Sequence, residues 1–330
     1  MRIGYVSTYP PIECGIATYT QALEGAVRDR GHETFVVSYH GAEGRNVFPV
    51  VPNNDSPNLA AEVFTTSSKL TPDLMHIQHE YGLFGPQRGA AVCDLLVRFR
   101  IARIPVVTTL HTVYESLTDD QEIVLRHVIA DSDAVIVHEA FQKETLERAF
   151  GPQQKIKVVE HGVREISPIP EAKAKLGLAG KKVVMLCGYF RRSKGFHKAA
   201  AFLPELCDAD PDVVLVMAGK VRGTEALEYQ RELFETLRSS PYGDRIVFLR
   251  GQFPQHTFDT VLSAADVVVL PYDLGAQSGM LSQCLALQRP VVTSDLPAFR
   301  AILERAGGGL VSESDDGYAA AILRLLHDED

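Results

Sequence analysis

Residues Lys182 to Gly195 read Lys-Val-Val-Met-Leu-Cys-Gly-Tyr-Phe-Arg-Arg-Ser-Lys-Gly, an apolar run that breaks at Gly188 into a loop carrying Arg191, Arg192 and Lys194. Cations beyond the carboxyl end of a buried strand suit a diphosphate, because ligands of open α/β sheets bind at that edge. Phe196, Ala199, Ala200 and Leu203 recur at helical spacing, so a helix is expected directly after Gly195, its free N–H groups and positive dipole end aimed at the loop. The charges alone fit a solvated basic loop equally well; their position after the strand favours a ligand. His79 and Glu80 follow the apolar run Leu74 to Gln78, and His111 follows Pro105 to Leu110, so one sheet edge presents two imidazoles able to donate or accept near neutral pH. His76, inside its run, reads as a packed residue. Pro271 to Leu281 is a small, glycine-rich loop after another buried run; Ser278, Gly279, Met280 and Leu281 offer backbone donors there, or Ser278 simply caps the next helix. Gly15 opens the first helix and leaves room for close approach of a ligand, or is a turn glycine.

The elements that must position these residues alternate regularly. Apolar runs at 2–7, 34–38, 74–78, 105–110, 134–137 and 155–160 are separated by helical patterns at 15–27, 58–70, 89–99, 120–130 and 141–150. Strands apolar on both faces, interleaved with helices, indicate a parallel sheet covered by helices. His161-Gly162-Val163 closes this unit, and 164–178, with Pro168 and Pro170, reads as a linker. A second unit, 179–330, repeats the grammar with strands at 183–187, 213–217, 246–249, 267–270 and 291–293 and with helices that include 224–237, 256–264, 280–287 and 318–327. Gly307-Gly308-Gly309 reads as a loop. At 330 residues the chain holds two α/β domains, 1–163 and 179–330.

Composition excludes several classes. A net charge of −9 argues against nonspecific nucleic-acid binding. Five scattered cysteines, none in a Cys-x-x-Cys pair, read as reduced thiols, and the chain starts in a strand, so a cytoplasmic protein is expected. No apolar stretch is long enough to span a bilayer. Arg88, Arg98, Arg100 and Arg103 give only a faint basic face for membrane association, which a solvated face explains as well. The first strand lacks the Gly-x-Gly-x-x-Gly dinucleotide pattern, and neither histidine nor cysteine spacing makes a zinc site.

Taken together, Gly15-Ile16-Ala17-Thr18-Tyr19, Gln78-His79-Glu80-Tyr81-Gly82, Thr109-Leu110-His111-Thr112, His161-Gly162-Val163, the Gly188 to Gly195 loop, Ala264-Ala265-Asp266-Val267 and Arg289-Pro290-Val291-Val292 have a familiar order and spacing. The chain resembles, over nearly its whole length, the retaining, metal-independent, nucleotide-sugar-dependent glycosyltransferases of family 4. The resemblance implies a GT-B fold, two facing Rossmann-like doubly wound parallel-sheet domains, and transfer of a hexose-type sugar to an acceptor hydroxyl without a cofactor. It implies that Arg191 and Lys194, with Gly188, hold a UDP- or GDP-linked donor's diphosphate, that Gly15 lies against it, and that His111 contacts the sugar. Ser278, Gly279, Met280 and Leu281 would supply amides to the sugar and phosphate, Gln283 would sit near the ribose, Gly219, Lys220 and Gln252 would border the base, and His79 and Glu80 would lie towards a carbohydrate or other hydroxyl acceptor.

Three departures stand out. Gly275 and Gln283 occupy the positions of two glutamates common in the family, and Ser278-Gly279-Met280-Leu281 marks a variant site. Tyr189 stands where many relatives have the arginine that Arg191 replaces here. The chain ends at Asp330, soon after a helix, where relatives continue with further helices. These departures keep two rivals open: a noncatalytic sugar-nucleotide-binding partner subunit, and another GT-B enzyme such as a sugar-nucleotide epimerase or a phosphorylase.

Overall fold

The structure, a computed structural model, describes residues 1–221, 225–251, 253–275 and 278–327. Two compact units divide the chain, Met1–Val163 and Arg164–Asp330. In the first, β1 (Arg2–Val6), α1 (Gly15–Arg28), β2 (Glu33–Tyr39), β3 (Val47–Val51), α2 (Leu59–Lys69), β4 (Leu74–His79), α3 (Ala91–Ile101), β5 (Val106–Leu110), α4 (Asp119–Asp131), β6 (Ala134–Val137), α5 (Ala140–Phe150) and β7 (Ile156–Val158) follow in order. They build a seven-stranded parallel sheet, β3-β2-β1-β4-β5-β6-β7. The order reverses between β1 and β4, which opens the crevice at the carboxyl edge where such sheets take ligands.

The second unit contains α6 (Ala172–Lys175), β8 (Lys182–Tyr189), α7 (Ala199–Ala209), β9 (Val213–Lys220), α8 (Glu225–Arg238), β10 (Ile246–Arg250), α9 (Gln255–Ser263), β11 (Val267–Leu270), α10 (Gly279–Ala286), β12 (Val291–Ser294), α11 (Pro297–Ala306), β13 (Gly309–Ser312) and α12 (Tyr318–His327). Its six-stranded parallel sheet runs β10-β9-β8-β11-β12-β13 and reverses between β8 and β11. Successive residues of β8 point to opposite faces. Val184 and Leu186 enter one core with Phe202, Leu233 and Ile322, while Val183, Met185 and Cys187 enter the other with Leu262, Leu281 and Phe299. Each such fully buried side chain stabilises the unit by roughly 1.5–3 kcal/mol.

Several expectations need correction. Two strands were not foreseen: β3 carries Pro49, which confines it to the sheet edge, and β13 begins at Gly309, within what reads as a loop. The helix after Gly195 starts later: 3₁₀ turns at Arg192–Lys194 and Phe196–Lys198 precede α7. The segment 164–178 is packed on the second unit instead of standing apart. Arg164 pairs with Asp259, Lys173 with Asp266, and Ala172 and Leu178 are buried. The faint basic face is largely neutralised, because Arg88, Arg98 and Arg100 pair with Asp120, Asp94 and Asp131. Among the described residues no helix is long and apolar enough to cross a membrane.

Two close backbone contacts fix the carboxyl edge of the second sheet. A Cβ on Gly219 would stand 1.8 Å from the Gly188 carbonyl oxygen, and one on Gly195 would stand 1.8 Å from that of Pro271; both residues have positive φ, 151° and 66°. Gly219→Ala is therefore expected to lower the unfolding free energy by roughly 2–4 kcal/mol, read from urea unfolding of the full chain.

Candidate active site

In the second unit the cationic loop sits at the switch point between β8 and β11. Gly195 lies on Pro271, and the Asp273 amide donates to the Ser193 carbonyl at 3.0 Å, so the loops after β8 and β11 form one surface. The cations on it differ. Lys198 is held by Asp273 and Asp315 at 2.8 and 2.9 Å, and Arg192 reaches Glu232 at 3.7 Å while covering the Tyr229 ring. Lys194 has no carboxylate partner among the described residues; its ammonium stands 3.6 Å from the centroid of the Tyr272 ring. Burial, and then the nearby Arg191 guanidinium, push Lys194 down to about 8. A partly desolvated cation beside a second cation is destabilised by both, and an anion arriving there relieves both. Arg191 is exposed on the same loop.

The Ser278 hydroxyl accepts from the Leu281 amide at 3.3 Å and caps α10, so Leu281 has no free N–H for a ligand. Gly279 and Met280, in the first helical turn, have no acceptor for theirs among the described residues. Gln283 is half-buried on the same helix. Gly275 has room for a side chain: its Cβ would stand 3.6 Å from Leu296 and Tyr272. Gly188 has no atom within 4 Å of its would-be Cβ, and Lys220, at the end of β9, lies 5.8 Å from the Tyr189 ring. Gln252 lies outside the described residues.

In the first unit, α1 begins at Gly15 after Cys14, and the space over Gly15 is open, with nothing within 4 Å of its would-be Cβ. His111 is buried; its Nε2–H donates to Gln78 Oε1 at 2.8 Å, which leaves the lone pair on Nδ1. Glu80 accepts from the Thr112 hydroxyl and, at 3.1 Å, from the Tyr81 amide, and burial raises its carboxyl above the usual range against those two bonds. His79 is not presented to a ligand: it is 0% exposed, stacked 6.0 Å from Phe84 and edge-on to Tyr81, with neither ring nitrogen partnered among the described residues. His76 is packed as expected, bonded to Thr109 at 2.8 Å.

Sequence reasoning passed over His138 and treated His161 only as part of a motif. His138 follows β6 directly and His161 follows β7, as His111 follows β5. Three neighbouring parallel strands thus deliver three imidazoles to one edge, with ring centroids 5.1 Å (111–138), 4.9 Å (138–161) and 6.3 Å (111–161) apart, and Tyr19 of α1 packs against all three. The recurrence of a histidine after each apolar run was the available signal; spacing along the chain, which argued against a metal site, does not report it.

Residues 14–165 match the family model described as Glycosyltransferase Family 4, and residues 181–328 the one described as Glycosyl transferases group 1. The chain belongs to glycosyltransferase family 4. A phosphatidyl-myo-inositol mannosyltransferase of Mycolicibacterium smegmatis is 26% identical over 362 aligned residues, covering 100% of this chain and 86% of that one. A glycogen synthase of Mycobacterium tuberculosis is 25% identical over 68% of this chain and 55% of its own length. Among solved structures, Anabaena HepE in complex with UDP superposes with a TM-score of 0.79 at 18% identity, covering 99% of this chain and 90% of that one. Sucrose-phosphate synthase of Thermosynechococcus elongatus gives 0.78 at 18% identity, with the same coverage. The fold is GT-B: two Rossmann-like parallel-sheet domains.

Burial holds His79 and His76 down to about 4, well below the usual 6.5. The unfolded chain binds these protons first, so stability is full above about pH 6.5 and falls as pH drops towards 4. His79→Phe keeps the aromatic packing and removes two unpartnered nitrogens. Its thermal midpoint is expected to match or exceed wild type at pH 7, with the gap widening at pH 5, measured by circular dichroism.

Proposed function

We propose that the chain is a retaining, metal-independent glycosyltransferase that moves a hexose-type sugar from a UDP- or GDP-linked donor to a carbohydrate or other hydroxyl acceptor, with no cofactor. The observation that carries this reading is Lys194: a half-buried ammonium, stacked on Tyr272 and unpaired by any described carboxylate, at the switch point of the second sheet. The complexes of HepE with UDP and with UDP-glucose, and the mannosyltransferase named among the relatives, support a nucleotide-sugar donor.

Departure of a nucleoside diphosphate places growing negative charge on phosphate oxygens. Lys194, Arg191 and the Gly279 and Met280 amides stabilise that charge, and each well-placed donor is worth about 10²–10³ in rate. Gly188 leaves space for close approach, Ser278 holds the α10 start in place, and Gln283 stands near the ribose in place of a glutamate. Gly219, Lys220 and Gln252 border the base. His111, its tautomer set by Gln78, contacts the transferred sugar; Gly15 leaves the first helix start open to the diphosphate, and Glu80 stands towards the acceptor with His79 packed behind it. The acceptor hydroxyl attacks from the leaving-group face and gives its proton to the departing phosphate oxygen, so configuration is retained without a side-chain base.

Thermal stabilisation by UDP, GDP, ADP and dTDP tests the donor site. One of the four is expected to raise the midpoint of wild type and not of Lys194→Ala; no shift from any would sink the reading. The same variant should lower kcat about 10²–10³-fold, and EDTA should not lower wild-type turnover. Because burial and the nearby Arg191 hold free Lys194 down to about 8 and an anion raises that value, diphosphate binding by wild type should be level between about pH 7 and 8 and weaken up to tenfold per pH unit above it.

A further inference from the structure

The cluster of His111, His138 and His161 in the first unit does more than pack. One ring nitrogen from each lies within 4.8 Å of the other two. The tautomers are set by carbonyl oxygens, which can only accept. His111 Nε2–H donates to Gln78 Oε1 at 2.8 Å, and His138 Nδ1–H donates to the Val159 carbonyl at 3.0 Å. Those bonds leave lone pairs on His111 Nδ1 and His138 Nε2. His138 Nε2 and His161 Nδ1 are buried with no hydrogen-bond partner among the described residues, an arrangement that costs about 1–3 kcal/mol per orphaned group if nothing fills it. An imidazole whose outer N–H is fixed by a carbonyl while its inner lone pair is bare is the arrangement of a metal-ligating histidine.

We infer that His111, His138 and His161 form a binding site for a divalent transition-metal ion of the zinc class, with a fourth coordination position left open. Imidazole nitrogens suit Zn²⁺, and three protein ligands plus one exchangeable position is a common zinc geometry. Ligand nitrogens around Zn²⁺ stand about 3.3 Å apart, given Zn–N bonds of about 2.0–2.1 Å, so rotation of the side chains on three adjacent strand ends closes the cluster onto an ion. The ion takes no part in the transfer step. It takes up the His111 lone pair, so, resting on the function proposed above, ion and donor sugar compete for that residue; binding itself does not depend on that reading.

The test is calorimetric titration of ZnCl₂ into the metal-stripped full chain without nucleotide. One ion per chain is expected. Affinity should fall in both His138→Gln and His161→Gln by more than the ~10–100-fold that loss of an outer-shell partner costs. Co²⁺ substitution of wild type should give the visible bands of a nitrogen-rich tetrahedral site without a sulfur-to-metal charge-transfer band, a readout that does not depend on how well the variants fold. Absence of one-to-one binding by wild type, binding indifferent to both variants, or a cysteine signature in the cobalt spectrum would each overturn the inference. The nucleotide thermal shift is read separately. Zinc binding without it would fault the function, and a nucleotide shift without zinc binding would fault the metal site alone.

Discussion

The second unit depends on two places where backbone meets backbone with no room for a side chain. Gly219 on β9 lies against the Gly188 carbonyl of β8, and Gly195 lies against the Pro271 carbonyl after β11. These contacts draw together the carboxyl ends of β9, β8 and β11, the strands on either side of the point where the sheet order reverses. The cationic loop is pinned there by geometry that only glycine permits, and the Lys194 ammonium comes to rest on Tyr272 in consequence.

The two units present opposite electrostatics at their sheet edges. In the second, Lys194 stands unpaired by any described carboxylate, partly desolvated, while its neighbours Lys198 and Arg192 are neutralised by Asp273, Asp315 and Glu232. In the first, His111 and His138 are buried, and their orientation is set by Gln78 and the Val159 carbonyl. One edge favours an anion; the other offers lone pairs.

Several residues that mark the family are structural. Asp266 accepts from the Val183 amide at 2.6 Å and pairs with Lys173, tying β11, β8 and the segment before β8 together. Arg289 donates to the carbonyls of Leu287, Ser263 and Ala265 and ties the turn before β12 to the end of α9. Such motifs signal the family because they hold the scaffold, and they are silent about which sugar or acceptor is used.

Apolar runs separated by helical periodicity determined, from sequence alone, most of the strands and helices and the parallel arrangement, because strands buried on both faces leave a continuous apolar signature. They also located the loop of Arg191 and Lys194, the Ser278 cap and the strand-end positions of His79, Glu80 and His111. Local pattern missed β3, where Pro49 sits at a sheet edge, and β13, whose Gly309 packs against the Val291 backbone, since both owe their pairing to a neighbour strand. Tertiary structure alone decided that His79 is enclosed by Phe84 and Tyr81, that Leu281 has given its amide to Ser278, and that Lys194 loses part of its hydration. It alone brought His111, His138 and His161 together. They lie 27 and 23 positions apart in the sequence and meet because β5, β6 and β7 are hydrogen-bonded in parallel, so that residues beyond each carboxyl end arrive at the same edge.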